Sequence, residues 1–276
     1  RSYEMCLTAT KDICSVIHLA AHAGVTPSIA NPFYDFEVNI QGTLNLLFAS
    51  VKNNVEKFIF ASSNAPLGCQ VPPMNEENVP KPLSPYGASK LACEGYCSAF
   101  HGSYELKTIS LRFSNAYGPH SIHKNSVVAK FIKDGLLKGE LTIYGDGHQT
   151  RDFIHVDDIC QAVCLILSRP AAYYVSCLTC NGIWGLPFNI GTYEETSILK
   201  LAKIVQGLFD RKIEISFAPE RKGEIKRNYS DITKARMVLG FSPQISLENE
   251  GRLVYEWFAN KDINDIKKAR VLSDSD

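Results

Sequence analysis

Residues 14–21 (CSVIHLAA) form a short apolar run ending in small side chains, the pattern of a buried parallel strand. Across 35–53, apolar residues recur at Ile40, Leu44, Leu47 and Val51, the spacing of a helix laid on a core. A second apolar run, KFIFA at 57–61, is closed by the polar Ser62, Ser63 and Asn64. Residues 85–101 predict a helix with Ser84 as N-cap and Pro85 at its first position, where the missing N–H would have had no intrahelical partner. KTISLRF at 107–113 reads as a third strand. Strands alternating with helices in this way predict right-handed βαβ units and a parallel sheet covered on both faces, an α/β fold.

After Asn115 the pattern changes. A loop rich in glycine, proline, histidine and serine is expected at 116–126, then a helix at 127–138, a short strand at 141–144 and a turn at Gly145-Asp146-Gly147. An amphipathic helix follows at 156–168, a buried strand at 187–191, a helix at 197–209 and a strand at 213–217. The charged residues beyond Asn260 read as a frayed tail. The chain shows neither an internal repeat nor a low-complexity segment.

Composition narrows the function classes. The chain has 276 residues, 45% hydrophobic and 21% charged, ordinary for a globular protein. Its 29 basic and 29 acidic residues cancel, so there is no electrostatic reason to expect a nucleic-acid partner. No apolar run approaches the ~18 residues of a membrane span, and residues 1–12 do not read as a signal peptide. A soluble, cytoplasmic protein without a membrane partner is the expectation. Nine cysteines, most in apolar surroundings, fit reduced, buried thiols better than a disulfide framework. Cys177-x-x-Cys180 has metal-knuckle spacing, but no second such pair accompanies it, and His120-x-x-His123 is equally bare; no metal is expected.

The candidate chemistry lies in Tyr86-Gly87-Ala88-Ser89-Lys90. At a spacing of four, the phenol and the ammonium leave one helix face. A neighbouring cation favours phenolate, drawing the tyrosine from ~10 toward working pH, so Tyr86 is expected to exchange a proton with a substrate hydroxyl. Ser63 stands just past a buried strand, where open α/β sheets place their ligand crevices. Its hydroxyl would reach the same substrate oxygen, with Ser62 and Asn64 as competing candidates.

Taken with HLAA at 18–21, Asn39-Ile40-Gln41-Gly42-Thr43, Leu111-Arg112-Phe113-Ser114-Asn115 and GDGHQTRDF at 145–153, these residues resemble the extended short-chain dehydrogenase/reductases, in the NAD-dependent epimerase/dehydratase branch closest to UDP-glucose 4-epimerases. The resemblance runs from about residue 14 to about residue 258. It implies Ser63, Tyr86 and Lys90 as the catalytic triad. It places Leu19, Ala20, Ala21, His22 and Ala23 along NAD, with Asn39 touching the cofactor and Ser114 beside the nicotinamide. Asn115, Arg151 and Arg221 would hold the nucleotide diphosphate, an arginine fork suiting phosphate. Thr142 and Tyr144 would lie beside the uracil and Glu224 near a ribose. Asn228 would stand where the family sets the size of the sugar pocket; being smaller than an aromatic, it suggests tolerance of N-acetylhexosamines.

The implied reaction is epimerisation at C4 of a UDP-hexose through a 4-keto sugar. Dehydratases and decarboxylases of the family usually carry an acid one or two places after the catalytic serine or threonine; here Asn64 and Ala65 follow, which favours epimerisation. A dehydratase or reductase, or a non-catalytic sugar-nucleotide-binding protein, are the alternatives. The family's opening strand, glycine-rich turn and helix find no match. The expectation is therefore an incomplete doubly wound (Rossmann-like) parallel sheet, short by on the order of 60 residues. Residues 1–115 and 152–190 would form the NAD-binding domain, and 116–151 and 191–276 a smaller C-terminal, nucleotide-sugar-binding domain. The run at 14–21 would be an uncovered apolar edge, making this chain inactive and prone to aggregate by itself. A homodimer through 39–53 and 86–101 is expected of the full-length protein.

Overall fold

A computed structural model describes residues 1–169, 182–220 and 225–274. Cys177, Cys180, Arg221 and Glu224 lie outside the described residues. The chain runs through α1 (Tyr3–Ala9), β1 (Ser15–His18), α2 (Val25–Ala30), α3 (Pro32–Asp35), a π turn (Phe36–Gln41), α4 (Gly42–Lys52), β2 (Lys57–Ser63), α5 (Pro85–Tyr104), β3 (Lys107–Phe113) and β4 (Asn115–Tyr117). It continues as α6 (Val127–Lys138), β5 (Glu140–Tyr144), β6 (Thr150–Arg151), β7 (Phe153–His155), α7 (Val156–Ser168), β8 (Pro187–Ile190), β9 (Thr196–Ser197), α8 (Ile198–Gln206), β10 (Glu214–Ala218), β11 (Arg227–Asn228), α9 (Leu247–Ala259) and α10 (Ile263–Asp274).

The main sheet is parallel, in the order β1-β2-β3-β8. Its central strands alternate with a period of two between two cores. Phe58 and Phe60 pack with Leu47, Cys93, Cys97 and Phe100 on the side of α4 and α5. Ile59, Ile109 and Leu111 pack with Ile166, Phe188 and Ile190 on the side of α7. Each such side chain contributes roughly 1.5–3 kcal/mol on burial. All strands of the sheet end at one edge, so His18, Ser63, Phe113 and Ile190 deliver the residues that follow them to a common crevice. A third core joins α6, β5, α8, α9 and α10 around Phe131, Ile143, Leu201, Val205 and Phe258, and β10 pairs with β5 beside it.

Several expectations need correction. The run at 14–21 is buried on one face only: Val16 and His18 point inward, whereas Ile17 is 44% exposed and no described strand pairs outside β1. The helix expected over 35–53 is interrupted by the π turn, which carries Asn39 into the interior. The tail beyond Asn260 is the helix α10, held because Ile266 and Ala269 reach the third core. Of the described cysteines, Cys93 and Cys97 are buried, but Cys14, Cys69, Cys160 and Cys164 are exposed. The last two stand on the solvent face of α7, one turn apart, despite their apolar sequence neighbours. His120 packs its ring against Trp257, 4.9 Å between centroids. No described helix is long and apolar enough to cross a membrane.

Candidate active site

Helix α5 begins at the strand-end crevice. The Ser84 hydroxyl accepts from Gly87 N at 3.1 Å and Pro85 opens the first turn, as capping chemistry requires. A Cβ at Gly87 would lie 2.7 Å from the Ala65 carbonyl oxygen, so glycine lets this turn press against the loop that follows Ser63. Tyr86 is thereby brought to Ser63, whose hydroxyl acts on the phenol as a hydrogen-bonding neighbour that eases ionisation. Lys90 Nζ lies 5.8 Å from the centroid of the Tyr86 ring and 4.7 Å from that of Phe60. It donates to the Ala61 carbonyl at 2.8 Å.

The expected direction of the Tyr86 shift is corrected. Burial raises the phenol above its usual pKa, outweighing the help from Ser63, and the charge of Asp35 adds to the rise. Lys90, also buried, is pulled down to about 8. The phenol therefore stays protonated in the free protein, and the lysine sits close to its own titration.

The competing polar groups face elsewhere. Ser62 Oγ donates to Glu94 Oε1 at 2.5 Å, and Glu94 is held by Arg112 through Nε at 2.9 Å and Nη2 at 2.7 Å. Asn64 Nδ2 donates to Ser230 Oγ at 2.7 Å and Ser114 Oγ at 3.3 Å. Ser114 Oγ in turn donates to Asp152 Oδ2 at 3.1 Å. Asp152 Oδ1 accepts from the backbone N–H and hydroxyl of Thr192 at 2.9 and 2.6 Å. Of the three polar residues at the end of β2, Ser63 is the one turned toward Tyr86. Ser114 and Asn39, expected at the cofactor, spend their polar groups inside the protein. Asn39 Oδ1 accepts from His22 N at 2.8 Å while Nδ2 donates to His22 O at 3.0 Å, which pins the loop after β1.

That loop suits an extended ligand. Leu19, Ala20 and Ala23 are exposed, Ala21 and His22 half-buried, and the ladder with β2 stops at His18. Buried polar atoms without a partner, His22 Nδ1 and Asn64 Oδ1, lie on the strand-end loops. The residues present thus leave room and partnerless polar atoms for part of a dinucleotide at the strand ends.

A second depression adjoins the first. Asn115, Thr142, Tyr144 and Arg151 line one cavity of about 160 Å³. Asn115 follows Ser114 directly, and its N–H donates to Asp152 O at 2.9 Å, linking the cavity to the crevice. Arg151 Nη1 is set by the Thr150 and Ile225 carbonyls, each at 2.7 Å. Asn228 pairs with Arg151 in the β11–β6 ladder. Asn125, Lys130 and Gln149 line the same cavity and were missed. Gln149 and Asp152 stood inside the quoted GDGHQTRDF run without a role; Asn125 and Lys130 carried no signal in a loop and on a helix face.

A UDP-glucose 4-epimerase of Mycolicibacterium smegmatis is 34% identical over 250 residues, 89% of this chain and 76% of the relative. The crystal structure of the Thermotoga maritima UDP-glucose 4-epimerase with UDP-glucose superposes with a TM-score of 0.83 at 34% identity, covering 94% of this chain and 82% of that one. The Bacillus cereus UDP-glucuronic acid 4-epimerase, in complex with UDP-glucuronic acid and NAD, has a TM-score of 0.82 at 31% identity over 94% of this chain and 80% of that one. Nucleotide-sugar dehydratases and decarboxylases are similar as well. The family model for the NAD-dependent epimerase/dehydratase family matches residues 5–176, and the chain belongs to that family.

Proposed function

We propose that the protein epimerises the C4 position of a UDP-hexose, with residues 1–115 and 152–190 serving NAD and residues 116–151 and 191–276 serving the nucleotide sugar. The observation that carries this reading is the meeting of Ser63, Tyr86 and Lys90 at the strand ends, one residue step from the cavity lined by Asn115 and Arg151. Tyr86 would first give up its own proton, Lys90 stabilising the resulting phenolate, and the phenolate would then take the C4 hydroxyl proton while Ser63 holds the same oxygen. NAD, when bound, supplies the hydride acceptor. Arg151, Asn115 and Arg221 would anchor the diphosphate, Thr142 and Tyr144 the base, and Glu224 a ribose. Holding the nucleotide firmly leaves the hexose free to present either face.

Epimerisation is favoured over dehydration because no acid stands behind Ser63, and Asn64 is tied to Ser114 and Ser230. Asn228 supports a pocket roomy enough for an N-acetylhexosamine: it neighbours Arg151, while the Tyr229 ring is engaged with Tyr193, 6.3 Å between centroids. The test is product analysis by NMR after incubation with NAD and UDP-glucose or UDP-N-acetylglucosamine. A C4 epimer supports the reading; a 6-deoxy-4-keto product assigns the protein to the dehydratases instead.

A further inference from the structure

Cysteines at a spacing of four occur twice on the helices of this chain, as Cys93 and Cys97 on α5 and as Cys160 and Cys164 on α7. The two pairs have opposite surroundings. Cys93 and Cys97 are both 0% exposed and pack with Phe58, Phe60 and Phe100. The Cys93 thiol donates to the Asn39 carbonyl at 3.2 Å. Burial pushes Cys93 up to about 11 and Cys97 further, so this pair stays thiol near neutrality.

Helix α7 turns its pair to solvent. Its inner face carries Asp158, Ala162, Val163 and Ile166, all buried. Asp157, Cys160, Cys164 and Ser168 are exposed and recur at intervals of three and four, the solvent stripe of one helix. The segment after Gly240 fixes which face looks outward. Asp158 Oδ1 and Oδ2 accept from the Gln244 and Ile245 N–H groups at 2.9 and 3.1 Å, and Gln161 Oε1 accepts from the Ser242 N–H at 3.3 Å. Both exposed thiols are free.

The spacing decides what such a pair can hold. Side chains four apart on a helix have Cβ atoms roughly 5–6 Å apart. A disulfide needs about 3.5–4.5 Å, so one could form here only if the turn unwound. Two thiolates on opposite sides of one metal ion stand about 4.6 Å apart, twice a metal–sulfur bond of ~2.3 Å. The two Cβ–Sγ bonds reach that span with the helix intact. Ligand number then selects the ion. Structural zinc and iron–sulfur clusters take four protein ligands, and among the described residues no group of three or more His, Cys, Asp and Glu side chains is placed to hold a metal. Thiolates favour soft cations, and Cu⁺ is a soft cation that two thiolates satisfy.

We propose that Cys160 and Cys164 form a surface site for a soft, two-coordinate cation of the Cu⁺ class, separate from the candidate active site. Binding forms two Cu–S bonds and releases two thiol protons to solvent, while copper remains Cu⁺. The matching pair on α5 takes no ion, because its thiols are packed in the core.

Cys177 and Cys180, outside the described residues, form a second closely spaced pair in the sequence, so the test uses the 276-residue chain carrying Cys177→Ser and Cys180→Ser. Anaerobic titration with Cu⁺ in competition with bicinchoninate gives stoichiometry and affinity without any turnover. One Cu⁺ per chain is expected. Adding Cys160→Ser or Cys164→Ser should weaken binding roughly 10²-fold or more by removing the second point of attachment. Cys14→Ser or Cys69→Ser, each removing an exposed thiol elsewhere, should change nothing. No uptake from the indicator, one Cu⁺ per two chains, or equal affinity in Cys160→Ser overturns the proposal. If the background variant does not fold, alkylation of the wild-type protein by iodoacetamide, read by peptide mass spectrometry, decides. Cu⁺ should then shield Cys160 and Cys164 together, and their undiminished labelling would sink the site.

Discussion

A Cβ built on Gly191 would lie 2.3 Å from Asp152 Oδ2, so glycine is what allows β8 to end against that buried acid. The same Cβ would stand 2.5 Å from Ser114 Oγ. Asp152 is the knot of this region. It accepts from Ser114 at the end of β3, from Thr192 after β8 and, at 3.4 Å, from the Ser230 N–H. Gly191→Ala is expected to cost about 1–3 kcal/mol by overpacking, measured as a lower urea midpoint with an unchanged slope. A wild-type midpoint would show that the acid can move aside freely.

Tyr86→Phe removes the proposed proton acceptor and keeps the ring. Turnover should fall on the order of 10²–10⁴-fold, with affinity for UDP, read by calorimetry, little changed. A variant retaining most of its rate would move the chemistry to another group.

Arg151 is presented to the cavity by the Thr150 and Ile225 carbonyls. Losing its charge-assisted contact with a diphosphate should cost about 1.5–3 kcal/mol, or roughly 10- to 100-fold in the UDP dissociation constant of Arg151→Met. Equal UDP affinity in the two proteins would remove Arg151 from the site.

Glu94 and Arg112 are both nearly fully buried, and the pair also holds Ser62. Breaking one side leaves an uncompensated charge, so Glu94→Gln is expected to destabilise the fold by about 3–5 kcal/mol. The double change Glu94→Leu with Arg112→Met should be milder than Glu94→Gln, which equilibrium unfolding of the two variants would decide.

His18 is buried, with Nε2 3.0 Å from the Thr43 hydroxyl. Burial, then Lys90, lowers its pKa from 6.5 to about 4. Between those values the unfolded chain binds a proton that the folded protein refuses, so acidification favours unfolding. Stability should be intact above pH 6.5 and decline by about 3 kcal/mol as the pH falls to about 4. His18→Gln should show a flatter decline over that window in urea titrations at successive pH values; an identical slope would discharge His18.

Much of the fold is legible along the chain because local rules act there without help. The runs at 57–61 and 107–113, the Ser84–Pro85 start and the helices at 127–138 and 156–168 agree with the elements found, since apolar periodicity and capping are properties of short segments. Tyr86 and Lys90 share a face for the same reason: four residues make one helical turn. The third core explains the main failure at the C-terminal end, where Ile266 and Ala269 look like isolated apolar residues in a charged stretch until α6 and α9 are beside them.

What the linear order determined by itself was the kind of element at each position and the residue types available for proton transfer and phosphate binding. What the tertiary structure alone decided was which of them meet and at what charge. It turned Ser63 rather than Ser62 or Asn64 to the phenol, buried Lys90, and raised Tyr86 where spacing had pointed to a fall. The reason is physical: hydrogen-bond partners and desolvation depend on atoms brought from distant parts of the chain, and no periodicity in sequence encodes those neighbours.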